Sequence, residues 1–271
     1  MTGAVVLKLG GELIETDERL MIVAKAIVRA AKNTRLVVVH GGGREIDAAL
    51  AEVAIPKRQV DGLRVTDLAT LRVVVGVLTD SINTRFVAAI NAAGGRAVGL
   101  TGADAGVAPV RKARPHKATG GETVDLGWVG QPTNGPAPSL LPTLCRAGFV
   151  PIIACISAAR NGQLFNVNAD TLAGSLAARL KARRLVIAGG TAGVLDEKGQ
   201  TVQTLDRRAM VRLVTSGIAS AGMVAKLRAC EAALKGGVRD VVIVDGRDAR
   251  RLTTAVAGRA TDAATRFTDA E

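Results

Sequence analysis

Residues 36–50 read LVVVHGGGREIDAAL: four apolar residues lead into a histidine and three consecutive glycines, after which the pattern turns helical. An apolar run, a glycine turn and an amphipathic run in that order describe a strand handing over to a crossover helix. The same order occurs earlier as VVLKLGGE (residues 5–12), with the amphipathic stretch Arg19–Ala31 between the two strands. This β-helix-β rhythm predicts an α/β fold with a mostly parallel sheet. It also raises a question about which group approaches Gly41, Gly42 and Gly43 closely enough to forbid a side chain. Backbone N–H groups at such a turn can donate to an anion, and the following helix dipole adds to the attraction. A tight strand-to-helix turn without a ligand uses the same residue types.

The chain has 271 residues, 48% of them hydrophobic, but only four Phe, one Trp and no Tyr. Its core must therefore be built from Val, Leu, Ile and Ala, and stacking platforms for nucleic-acid bases are scarce. No run reaches 18 apolar residues, and the first strand begins almost at Met1 without a basic flank or cleavage site, so a soluble, cytoplasmic protein with no membrane partner is expected. Cys145, Cys155 and Cys230 form no CxxC pair and are odd in number, which argues against a disulfide framework and against a protein-held metal. The net charge of +12 gathers at residues 111–117, 181–184 and 247–251. Those clusters are either solvated faces or docking points for an acidic partner; no nucleic-acid module accompanies them.

Further along, LATLRVVVGVLTDSINTRFVAAINAAGG (68–95) reads as two helical pieces broken near Asp80, followed by the strand RAVGL (96–100). Between Thr101 and Pro138 the short runs VAPVRKA and TVDLGWVG, punctuated by Gly and Pro, predict an antiparallel hairpin region inserted into the framework. SLLPTLCRAG (139–148) is a short helix and FVPIIACIS (149–157) one buried strand, with a turn leading back through LFNVNAD (164–170). Alternation then resumes with helices over 169–182, 207–217 and 223–237 and strands over 184–190 and 239–247. Two lobes on one continuous sheet fit this pattern.

Neither glycine segment supplies the GxxxxGK[ST] phosphate loop. A dinucleotide fingerprint from Gly41 fails because Ile46 stands at the third glycine, although Asp61 lies about where the ribose acid would be. Lys8 interrupts an apolar strand two residues before a glycine turn, where a charge requires an anionic partner unless the strand is an edge facing water. Lys226 lies on the first turns of a helix behind Gly222, and Asn166, Asn168 and Asp170 cluster where another helix opens. Asp170 alone is explained as a helix cap; two further asparagines exceed what a cap requires.

Taken in order, KLGGE (8–12), HGGGREI (40–46), DGLRVTD (61–67), NVNAD (166–170), GVLD (193–196) and GMVAK (222–226) resemble the amino acid kinase family. Within it they look like the branch that phosphorylates N-acetyl-L-glutamate in arginine biosynthesis. The likeness runs from Val5 to Gly246 and rests on six segments in order rather than on any one. It implies a three-layer αβα sandwich with a mostly parallel central sheet. Residues 1–165 would form an N-terminal lobe for the amino acid and for dimerisation, and residues 166–271 a nucleotide-binding C-terminal lobe. It further implies that ATP, with Mg2+, gives its γ-phosphoryl group to the substrate's γ-carboxylate. Lys8 and Lys226 would contact the transferred group and Asp170 would orient both lysines. Gly10 and Gly11 would meet the phosphates, Gly41 and Gly42 would line the substrate, and Arg64 and Asn166 would hold its α-carboxylate. Gly190, Gly193 and Leu195, with Ile218 and Ser220, would surround the nucleotide.

Chemistry supports such a site. A side-chain carboxylate with a pKa of about 4.3 is already ionised at neutral pH, so the nucleophile needs no general base. The obstacle is repulsion between two anions, which positive charge and positioning overcome. The chain departs from the family at Gly189 and Gly190, where Ser or Thr followed by Asp is common, at Thr84, where a lysine is usual, and beyond Gly246, where DGRDARRL lacks the usual histidine. In the arginine-inhibited branch a mobile helix precedes the first strand; here the strand begins within a few residues of Met1, implying a homodimer that L-arginine does not inhibit. Two other readings remain open: a kinase for glutamate or aminoadipate attached to an acidic carrier protein, and a catalytically silent amino-acid or nucleotide sensor.

Overall fold

The computed structural model describes residues 3–118, 120–215 and 221–268. Eight strands form one central sheet: β1 (Val5–Leu9), β2 (Leu36–His40), β3 (Ala97–Thr101), β4 (Val150–Ala154), β5 (Arg184–Gly189), β6 (Thr204–Asp206), β7 (Val241–Asp245) and β8 (Ala264–Thr268). Their order is β6-β8-β7-β5-β1-β2-β4-β3. Every pairing is parallel except β7 with β8. β1, β2, β4, β5 and β7 are buried along their whole length, which is why they read as unbroken apolar runs rather than alternating ones.

The helices are α1 (Asp17–Ala31), α2 (Gly43–Glu52), α3 (Leu68–Val75), α4 (Asn83–Ala92), α5 (Leu140–Arg146), α6 (Ala169–Arg179), α7 (Arg207–Thr215), α8 (Ala221–Lys235) and α9 (Ala249–Ala257). α1 starts where the Thr16 side chain accepts the Arg19 N–H, and it buries Leu20, Val23, Ala24 and Ile27 at helical spacing. It packs with α4 and α9 as one layer, while α6 and α8 pack together as the other. The α6–α8 contact is close because Gly174 has no side chain: a Cβ there would stand 2.7 Å from the Ala229 carbonyl oxygen. That approach sets Asp170 and Lys226 on adjoining helices.

β1 is the centre of the molecule. The chain leaves it to build β2 on one side and later returns to build β5 on the other, so the carboxyl ends of these strands border the crevice where open α/β sheets receive ligands. An edge-strand explanation for Lys8 is thereby removed, since β1 is paired residue for residue on both sides.

Several expectations change. There is no helix break near Asp80: Leu68–Ala92 is continuously helical, and residues Gly76–Ile82 form a π-helical segment in its middle. The polar cluster there widens the helix instead of ending it. With a mean hydropathy of 1.5 over an 18-residue window this helix is long and apolar enough to cross a membrane by length and composition; here it packs on β3, β4 and α1. The expected single strand over 149–157 is two, since Ile156–Ala158 leaves the sheet to pair antiparallel with Leu164–Asn166. The hairpin region is present as two short ladders, Val110–Lys112 with Gly130–Pro132 and His116–Lys117 with Thr123–Val124. β6, α9 and β8 were not anticipated.

Candidate active site

The carboxyl ends of β1, β2 and β4 open into a cleft of about 350 Å³ whose lining includes Lys8, Gly11, Gly42, Arg64, Asn166 and Lys226. Lys8, only 6% exposed, places Nζ 2.9 Å from Asp170 Oδ1. Burial by itself would lower the pKa of this ammonium, but the adjacent Asp170 carboxylate outweighs that and the pKa is raised, with Glu12 adding a smaller push. Lys226 Nζ stands 3.7 Å from the other oxygen of the same carboxylate and donates to the Gly222 carbonyl at 3.4 Å. One buried carboxylate thus holds two ammonium groups at the mouth of a cleft.

Asp170 is not the helix cap. Asn168 is: its Oδ1 accepts the Thr171 N–H at 3.0 Å and the Thr171 hydroxyl at 3.2 Å. That leaves the Asp170 side chain, in the first turn of α6, free to face the lysines. Asn166 donates from Nδ2 to Thr66 Oγ1 at 3.2 Å. Arg64, on the short strand Leu63–Arg64, pairs with Asp47 and donates from Nη2 to the Gly43 carbonyl at 3.3 Å. Its Nη1 is buried without a partner. An unpaired donor on a guanidinium lining a cleft suits an incoming carboxylate.

The glycines divide into different jobs. The N–H groups of Gly10 and Gly41 are taken by the Ala188 and Leu9 carbonyls, at 2.9 and 3.3 Å, so they extend the sheet rather than face a ligand. A Cβ on Gly11 would stand 3.1 Å from Gly42 Cα, so the loops after β1 and β2 touch. A Cβ on Gly42 would stand 2.1 Å from Ile82 Cδ1 and 3.1 Å from Leu78 Cδ2. The close group at Gly42 is therefore the π-helical segment itself. Gly43 faces open space at the start of α2, where helix N–H groups lack intrahelical partners.

His40 is a strut beneath this loop. Its buried ring donates from Nδ1 to the Gly41 carbonyl at 3.1 Å and accepts at Nε2 from Asn83 Nδ2 at 3.0 Å. Burial drives its pKa down to about 4, so the ring is neutral. Cys155, which lines the cleft, donates from Sγ to the His40 carbonyl at 2.9 Å, and burial pushes its thiol pKa up.

On the far side of β1, Gly190 donates its N–H to Glu12 Oε1 at 2.8 Å. Gly193 has φ +81°, and a Cβ there would stand 2.5 Å from Thr265 Oγ1, whose oxygen accepts the Val194 N–H; its glycine serves the turn and the fit to β8. Leu195 is 45% exposed and lines a second cavity of about 610 Å³ with Gln200, Leu205, Arg212 and Leu213. Ile218 and Ser220 lie outside the described residues. The cleft thus unites Lys8, Gly10, Gly11, Gly41, Gly42, Arg64, Asn166, Asp170 and Lys226. Glu12, which also lines it, was missed: a glutamate after a glycine pair carries no signal of its own.

A family model described as the amino acid kinase family matches residues 3–245. The chain is 41% identical over 244 residues to an acetylglutamate kinase of Dinoroseobacter shibae, covering 90% of this chain and 82% of that protein. It is 42% identical over 247 residues to an acetylglutamate kinase of an Azoarcus species, with the same two coverages. Among solved structures, N-acetylglutamate synthase from Neisseria gonorrhoeae, complexed with coenzyme A and N-acetyl-glutamate, superposes with a TM-score of 0.83 at 22% identity over 99% of this chain, which spans 60% of the synthase chain. Carbamate kinase from Giardia superposes with a TM-score of 0.69 at 17% identity, covering 99% of both chains. At those identities the two structures speak to the fold alone.

Proposed function

This chain belongs to the amino acid kinase family, and from that premise we infer that it phosphorylates the γ-carboxylate of N-acetyl-L-glutamate to an acyl phosphate, in arginine biosynthesis. Relatives of that activity at about 41% identity over 90% of the chain support the substrate. The observation that carries the chemistry is the pair of ammonium groups on one buried carboxylate, Lys8–Asp170–Lys226, at the cleft that also holds Arg64.

The roles follow from charge. Arg64 Nη1 and Asn166 receive the α-carboxylate, which fixes the far end of the substrate. The γ-carboxylate, ionised and needing no base, attacks phosphorus in line; the new O–P bond forms as the bond to the leaving nucleoside diphosphate breaks. Lys8 and Lys226 stabilise the charge that spreads over the transferred group, and Asp170 keeps both in position. The Gly11, Gly42 and Gly43 main chain lets this group lie close to the backbone. ATP is the donor, its phosphates in the cleft and its nucleoside toward the cavity bearing Leu195, so that residues 1–165 serve the amino acid and residues 166–271 the nucleotide. Among the described residues no group of three or more His, Cys, Asp or Glu could hold a metal ion. Mg2+ would be carried chiefly by the nucleotide's phosphates and water, where it neutralises phosphate charge.

A homodimer is supported by the edge strand β3, part of which is exposed, and by the apolar helix Leu68–Ala92, whose most apolar window is only 39% buried. Light scattering of the purified protein tests it.

The function is tested by incubating the protein with Mg2+, ATP and N-acetylglutamate, glutamate or aspartate in the presence of hydroxylamine. A hydroxamate formed from N-acetylglutamate and not from the other two is the expected result. No hydroxamate from any of them, with a folded protein, would favour the silent sensor.

A further inference from the structure

Glu12 places a negative charge inside the anion cradle. Its Oε1 accepts the Gly190 N–H at 2.8 Å, joining the loop after β1 to the loop after β5. A Cβ on Gly10 would lie 2.3–2.6 Å from this carboxylate, and one on Gly189 would lie 3.2 Å from Oε1 and 3.8 Å from Lys226 Cε. The two glycines therefore make room for the carboxylate beside the lysine. Glu12 lines the same cleft as Lys8, Asp170 and Lys226, so two ammonium groups there face two carboxylates. The carboxylates differ in how they are held. Asp170 is buried and paired with both lysines, whereas Glu12 is partly exposed on the short 3-10 turn Gly11–Leu13, held by one hydrogen bond. A carboxylate and a polyphosphate brought to one amide donor compete for it and, as like charges, repel each other.

We propose that Glu12 is a placeholder anion: its carboxylate holds the Gly190 N–H and part of the lysine field, and it swings aside when the terminal phosphates of the nucleotide arrive. The proposal rests on reading the cleft as a phosphoryl-transfer site. Displacement of Glu12 is then a cost charged to every phosphate that enters. It weakens the hold on nucleotide and keeps stray phosphate from settling on the lysines.

Isothermal titration of ATP, ADP, AMP and inorganic phosphate into wild type, Glu12→Gln and Glu12→Ala tests this, with circular dichroism verifying the fold of each. Both variants are expected to bind ATP and ADP at least about fivefold more tightly, the lower end of ordinary coupling between sites. AMP, lacking the terminal phosphates, should be little changed, and phosphate should bind better. Glu12→Gln keeps an acceptor for Gly190, so tightening in that variant assigns the effect to charge. Unchanged or weaker ATP binding in both variants overturns the proposal, as does equal tightening for AMP. Wild type that binds no nucleotide overturns the phosphoryl-transfer reading as well.

Discussion

The absent side chain of Gly42 is answered by Ile82, whose Cδ1 would lie 2.1 Å from a Cβ at that position. Ile82 closes the π-helical segment and is 3% exposed, so it has little room to withdraw. Gly42→Ala should destabilise the protein by about 1–3 kcal/mol, the usual range for overpacking. Ile82→Val removes Cδ1, so the double variant should recover part of that loss. Urea unfolding of the four proteins in the cycle measures it, and a neutral Gly42→Ala would show that the helix yields freely.

The Lys8–Asp170–Lys226 arrangement makes turnover the sensitive quantity. Lys8→Ala and Lys226→Ala should each lower kcat several hundredfold, roughly 3 to 4 kcal/mol, with smaller changes in substrate affinity, the pattern expected of groups proposed to act on charge in the transition state. Asp170→Asn should be comparably severe. Three variants with wild-type kinetics would move the chemistry elsewhere.

Arg64 offers its unpaired Nη1 while Nη2 is engaged with Asp47 and Gly43. A lysine at this position keeps the charge but cannot hold Asp47, Gly43 and a ligand carboxylate in one plane. Arg64→Lys should therefore raise KM for N-acetylglutamate and leave that for ATP nearly alone. Equal effects on both constants would contradict a role in holding the amino acid.

His40 gives a pH signature. Its pKa falls from 6.5 in the unfolded chain to about 4 in the fold, so between those values the unfolded state binds a proton that the folded state refuses. The stability from this residue is whole above pH 6.5 and is lost as pH falls toward 4, about 3 kcal/mol in all at the linkage slope for one proton. His40→Gln should flatten the decline of stability between pH 6.5 and 4 by up to one proton. Identical slopes would mean that the ring is protonated in the fold.

The basic excursion around Arg111 bears on free against carrier-bound substrate. Arg111, Lys112 and Arg114 are exposed, and Lys112 pairs with the exposed Asp125 at 2.8 Å. Replacing all three by serine should leave activity on free N-acetylglutamate nearly unchanged and its salt dependence shallow. A steep loss of activity above about 0.15 M salt, where the screening length is about 8 Å, would instead favour an acidic carrier docked there.

What could be read in advance follows physical lines. β1, β2, β4, β5 and β7 are legible because a parallel strand covered on both faces is an apolar run. β6 and β8 are not, because both are short of such runs: β8 is ATRFT, with Arg266 exposed on the sheet's antiparallel end. Lys8 and Lys226 were findable as charges in unexpected places and as parts of an ordered set of segments. Asp170 was legible as important but also looked like a cap, and only the Asn168 hydrogen bond separates the two. The pairing of Glu12 with Gly190 spans 178 residues and leaves no local mark. The same holds for Ile82 beneath Gly42: the polar residues near Asp80 resemble a helix break, and the widened turn that sends Ile82 toward the loop is visible only in three dimensions.

Val5–Leu9 is hydrogen-bonded along its length to Leu36–His40 on one flank and to Arg184–Gly189 on the other. Jaws hinged between residues 1–165 and residues 166–271 would have to tear that ladder, leaving buried backbone donors and acceptors without partners. The two parts are therefore joined by an unbroken run of backbone hydrogen bonds rather than by a linker. A movement that widens the cleft has to leave this ladder paired, which directs it to the twist of the sheet and to the glycine turns after β1, β2 and β5.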